Sequence, residues 1–185
     1  MSTFGAQRPR RIAIVILLAA CTLGARAPGA LHDPLWQDEV GTMRVISQRS
    51  PRSALGQVVR QESTPPVFFL TEWAVDHGAA ALDSGVKPGP WLRAIPLAFS
   101  IVTTVLTFLL ACELLPLWAA TLAGLLVAFS GELVVHGAEL RAYALLALTY
   151  VAFAFVLERA VAHPRRLTLV LLGGVVAVGS LTHYF

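Results

Sequence analysis

Asp38 and Glu39 stand side by side in Trp36-Gln37-Asp38-Glu39, a few residues after the first apolar run of the chain. Glu132, His136, Glu139 and Arg141 fall between two later apolar runs, and His183 and Tyr184 follow the last one. A carboxylate near a cation can take up a proton while the cation stabilises an anion. The planar fork of an Arg makes bidentate bonds to phosphate. An acid pair, an Arg and a His at a membrane surface suit transfer from a lipid-linked phosphate donor. They equally suit the gate of a transporter, and composition and spacing do not choose between the two. Each group also has a plain structural reading. Asp38 and Glu39 match the charge preference of a helix N-terminus. Arg141 can snorkel to the interface, with Glu139 as a surface partner. His183-Tyr184 can serve as an interfacial anchor.

The elements that position these residues follow from composition. The chain has 185 residues, 56% hydrophobic and 14% charged, against about 45–50% and about 25% in soluble domains. A water-soluble domain and a disordered chain are both excluded on that ground. Two cysteines, Cys21 and Cys112, exclude a disulfide-rich scaffold and a cysteine-based zinc cluster. The net charge of +3 comes from short Arg clusters flanking apolar segments. No dense basic run with interleaved aromatics points to nucleic acid. The expected fold class is all-α, a polytopic transmembrane protein. A helical span takes about 20 apolar residues. Five segments approach this, at 12–31, 94–112, 114–131, 142–157 and 167–182, with spans two to five inside 91–185.

Arg8, Arg10 and Arg11 precede the first span and predict a cytoplasmic N-terminal tail over 1–11. Arg159, Arg165 and Arg166 after span four agree with this topology. Every polar cluster named above then falls on the outside face, where ionisable groups between spans tend to be functional. Arg8-Pro9-Arg10-Arg11 followed by an apolar run also resembles a signal peptide, and Leu18-Ala19-Ala20-Cys21 a cleavage box. A retained anchor helix is the preferred reading, given four further spans. Residues 32–90 form the long outside loop. It holds helical patches: Val40, Met43 and Ile46 recur at helical spacing. A second patch starts at Ser53 as N-cap. Thr64-Pro65-Pro66 reads as a third helix start, with Thr64 as cap. Such amphipathic helices suit the headgroup layer.

Four motifs come in a familiar order. They are Trp36-Gln37-Asp38-Glu39, Thr64-Pro65-Pro66, Glu139-Leu140-Arg141-Ala142-Tyr143-Ala144-Leu145 and Thr182-His183-Tyr184-Phe185. With this topology the chain resembles the N-terminal part of a GT-C membrane glycosyltransferase. The branch it is similar to includes the protein mannosyltransferases, the lipid A aminoarabinose transferases and related bacterial enzymes. The resemblance implies transfer of a sugar from a polyprenyl-phosphate carrier to an acceptor at the outer face of a bacterial inner membrane. It implies Asp38 as catalytic base, with Glu39 beside it. It implies Arg141 as the donor-phosphate ligand, with Tyr143, His183 and Tyr184 in support. Glu139, Thr64, Pro65 and Pro66 take supporting places. No metal site and no cofactor is implied, although acid pairs bind divalent cations. Thr64 stands where relatives often carry His or Lys, and Ala138-Glu139-Leu140-Arg141 keeps the acid and the Arg of a Gln-Glu-Ala-Arg pattern but loses its Gln. Relatives continue through further spans, so the chain is expected to be the front portion of such a domain. The contrasting expectation is a non-catalytic protein: a transporter piece, an accessory subunit binding lipid phosphate, or a truncated relic.

Overall fold

The computed structural model describes residues 3–62, 64–82 and 90–183. They form α1 (Thr3–His32), α2 (Gln37–Ile46), α3 (Pro51–Gln61), α4 (Val67–Leu82), a short 3-10 turn (Pro90–Arg93), α5 (Ala94–Leu114), α6 (Leu117–Phe129), α7 (Gly131–His136), α8 (Tyr143–Ala162) and α9 (Arg166–Ser180). There is no strand among the described residues. Three helical stretches are long and apolar enough to cross a membrane: Arg8–His32, Trp91–Leu114 and Tyr143–Ala162. The chain is an all-α membrane protein.

The other two expected spans are shorter than the sequence reading drew them. α6 has 13 residues and α9 has 15. At about 1.5 Å per residue both fall short of a hydrocarbon core about 30 Å thick. The break after α6 has a physical cause. Ser130 is extended (φ −60°, ψ 121°), and the chain restarts as α7. Arg26, buried on α1, donates to the carbonyls freed there, Val127 and Ala128, and to Leu133 on α7.

α5 is the centre of the bundle, with α1, α6 and α8 packed on it and α9 packed on α8. Between lipid-facing helices, close approach depends on small residues and cross-helix hydrogen bonds. Here Leu18 and Phe108 interlock with Ala111 and Ala120. A Cβ at Gly124 would lie 2.6 Å from Leu18 Cδ1, so the missing side chain lets α1 seat on α6. Thr22 donates to Thr104 across the α1–α5 contact. The Leu18-Ala19-Ala20-Cys21 stretch thus lies mid-helix in a bundle element.

α2, α3 and α4 form a layer over the end of the bundle where α1 ends and α5 and α8 begin. Val45, Ile46, Ala54, Val58, Phe68 and Phe69 pack there with Leu92, Leu140 and Leu145. Burying a side chain such as Phe68 or Phe69 is worth roughly 1.5–3 kcal/mol, and this apolar floor ties the layer to the bundle. Three local expectations shift. α3 starts at Pro51 rather than after Ser53, because Ser50 caps it by accepting from the Ser53 N–H. α4 starts at Val67, so Thr64 does not cap it; the Pro66 carbonyl takes the first bond, from Leu70. On α2 the buried stripe is Glu39, Thr42, Val45 and Ile46, one position round from Val40 and Met43.

Candidate functional site

The α1–α2 corner, the α7–α8 connection and the start of α5 meet at a single buried ion pair. Arg93 Nε and Nη2 grip the two oxygens of Glu39. Glu39 also accepts from the Leu140 N–H at 2.6 Å and the Trp36 N–H at 2.8 Å. The remaining Arg93 donors reach the carbonyls of Gly29, Ala30, Asp33 and Pro34, the end of α1. Four segments are thereby fastened to one another. Burial pushes the Glu39 carboxyl up, but the bonds from Arg93, Leu140 and Trp36 and the Arg93 charge outweigh it and hold it below the usual range. Glu39 was expected to share catalysis with Asp38. It is fully buried, with four donors on its two oxygens, so its lone pairs are occupied within the clasp.

Asp38 is what that clasp presents. Adjacent helix positions point about 100° apart, so burying Glu39 turns Asp38 outward, where its side chain is 73% exposed. Glu39 also holds Leu140, and the next residue is Arg141. Arg141 therefore lies over Asp38, donating to its carbonyl at 3.4 Å and standing 3.8 Å from Oδ2. On its other side Arg141 is 3.7 Å from Oε2 of Glu62, at the end of α3. Burial pushes the Glu62 carboxyl up; Arg141 pulls it down and Asp38 pushes it up.

A cleft of about 330 Å³ is lined by Trp36, Gln37, Asp38, Glu39, His136, Glu139, Arg141 and Tyr143. His136 Nδ1 is 3.1 Å from Glu139 and its Nε2 is 3.5 Å from Glu132. The His136 ring lies 4.7 Å from the Tyr143 ring, and His183 follows at 6.3 Å. Below the cleft, α6 and α8 leave a groove of about 220 Å³ along α5. Ser100, Thr103, Val127, Ala147 and Tyr150 are among its walls, and Arg26 lies at its head. His136 and Tyr143 line both spaces.

The structure therefore gathers Asp38, Glu139, Arg141 and Tyr143, with His183 beside Tyr143. Tyr184 lies outside the described residues. Thr64, Pro65 and Pro66 do not line the cleft; they make the turn between α3 and α4 that follows Glu62. No group of three or more His, Cys, Asp or Glu able to hold a metal occurs among the described residues. Arg26, Arg93 and Glu62 escaped sequence reasoning as site residues. Arg26 carried a usable signal, a lone charge inside an apolar run. Glu62, inside the 32–90 loop, and Arg93, just before the second span, carry no pattern that distinguishes them.

No protein-family model, no curated protein and no solved structure matches this chain.

Proposed function

We propose that this protein works as a membrane glycosyltransferase. It moves a sugar from a polyprenyl-phosphate donor to an acceptor at the outer face of a bacterial inner membrane. The observation that carries the reading is the outward Asp38 carboxylate beside Arg141, in a polar cleft that shares His136 and Tyr143 with an apolar groove. In this reading an isoprenyl tail lies in the groove and its phosphate rises to Arg141. Asp38 takes the proton of an acceptor hydroxyl as that oxygen bonds to the anomeric carbon. The bond from the anomeric carbon to the phosphate oxygen breaks, and its electron pair stays on the phosphate, where Arg141 offsets the charge. The cleft also holds the aromatic faces of Trp36 and Tyr143, suited to the apolar face of a sugar.

A polyprenyl phosphate carrying a diazirine on its first isoprene unit tests the placement. Cross-links are expected on Val127, Ala147 and Tyr150, and Tyr150→Ala should reduce them. Cross-links spread evenly over the exposed apolar faces of α1 and α9 would count against the groove.

A further inference from the structure

Among the described residues lining the cleft, Arg141 is the one Lys or Arg. Its guanidinium stands between two carboxylates, Asp38 at 3.8 Å and Glu62 at 3.7 Å. A phosphate arriving on Arg141 adds a negative charge to a place that already holds two. Asp38 is largely open to water. Glu62 has little access to water in the folded layer, its side chain being only 13% exposed. It is wedged against α2, where a Cβ at Gly41 would come within 3.1 Å of its Oε1. Other charges nearby are engaged elsewhere. Glu39 is held by Arg93, Arg60 donates to the Gly56 carbonyl, Arg44 on α2 is exposed, and on α4 Asp76 acts on Glu72, with His77 beside Asp76. The groups that act on Glu62 are Arg141 and Asp38.

We propose that Glu62 is the exchangeable counter-ion of the phosphate site: it holds Arg141 while the cleft is empty and takes up one proton from solvent when a phosphodiester replaces it on the guanidinium. This rests on Arg141 as the phosphate ligand, as argued above. Burial already pushes the Glu62 carboxyl up, and only Arg141 pulls it down. A ligand that occupies Arg141 removes that pull, so the bound state holds the proton more tightly. By linkage, phosphodiester affinity falls as pH rises through this window, by up to tenfold per pH unit. Glu62→Gln, which is neutral throughout, should bind tightly at every pH.

The test is calorimetric titration of the full chain in nanodiscs of zwitterionic lipid, between pH 5 and 9, in two buffers of different ionisation enthalpy. The probe is farnesyl methyl phosphate, a phosphodiester that stays a monoanion throughout this range. The wild type should take up close to one proton per probe bound. Glu62→Gln should take up none and bind about tenfold tighter at pH 8, and Arg141→Gln should lose at least tenfold in affinity. No proton uptake by the wild type at any pH overturns the proposal, and this readout needs no variant. Arg141→Gln weakened but Glu62→Gln matching the wild type in affinity and pH slope overturns the role of Glu62 and leaves the Arg141 site standing. Arg141→Gln binding like the wild type overturns both. Dimethyl phosphate gives the arm without a tail: equal affinity would keep the Glu62 linkage and remove the groove from the donor site.

Discussion

Glu72 sits on α4 beneath α2 and α3, fully buried, with neither carboxylate oxygen hydrogen-bonded. Burial, with repulsion from Asp76 one turn on, pushes its carboxyl from 4.5 up to about 9. The sign follows from linkage. An acid with a raised folded pKa favours the folded state below its unfolded pKa, and that support is lost as pH climbs toward the folded pKa. Each pH unit in the window is worth about 1.4 kcal/mol, so docking of this layer should weaken by about 3 kcal/mol between pH 4.5 and pH 7. Glu72→Met, of similar length and without a charge to bury, should remove most of that slope. We predict that the variant's layer is more stable than the wild type by about 2–4 kcal/mol at pH 8, and that the gap shrinks toward zero or reverses near pH 5. The assay is amide hydrogen exchange of α4, corrected for intrinsic exchange rates. Trp73 fluorescence is a local control, because its Nε1 donates to the Gln48 carbonyl across this layer. Equal pH slopes in the two proteins, or a Met variant less stable at pH 8, would refute the argument that burial keeps Glu72 protonated.

Glu39→Gln and Arg93→Met should each lower stability by about 3–5 kcal/mol, since either change strands a buried charge or its donors. The double variant Glu39→Met with Arg93→Met should lose less than the two single costs added together. Thermal unfolding in detergent with a double-mutant cycle reads this, and simple additivity would sink the claim that they act as a pair. Gly137→Ala places a Cβ 2.5 Å from the Leu133 carbonyl oxygen and 2.7 Å from Arg26 Nε. It should displace Arg26 and destabilise the α6–α7 break by about 1–3 kcal/mol; an unchanged unfolding temperature would contradict the packing described. Asp38→Asn should leave stability within about 1 kcal/mol, because its side chain is exposed and its ion pair is worth little.

The helical character, three of the five expected spans and the common end of the bundle where the polar groups gather were legible, because they follow from the runs of apolar residues and the order in which they alternate. α2 was legible as a helix, but its orientation was not. The periodic trio Val40, Met43 and Ile46 pointed to one face, while the buried face runs through Glu39 and Thr42. A hydrophobicity pattern cannot show that a Glu faces inward when its partner, Arg93, is 54 residues away. The same blindness merged Asp38 and Glu39 into one acid pair, when one is the clasp and the other is what the clasp presents. No pattern in the sequence marks Glu62 or Glu72 as buried, since only packing of α2, α3 and α4 against each other removes them from water. The length of α6 was overestimated because its stop is written in Arg26, more than a hundred residues earlier in the chain.

The most direct measurement of the central claim is sugar transfer by the full chain in proteoliposomes loaded with polyprenyl-phosphate sugars and candidate acceptors, read as released polyprenyl phosphate. Wild type should release it, Asp38→Asn should lose at least about a hundredfold in rate, as expected for loss of a general base, and the variant should still bind farnesyl methyl phosphate. Release by Asp38→Asn at the wild-type rate would contradict Asp38 as the base. No release by the wild type from any loaded carrier, with probe binding intact, would contradict the transferase reading and favour a lipid-phosphate-binding role.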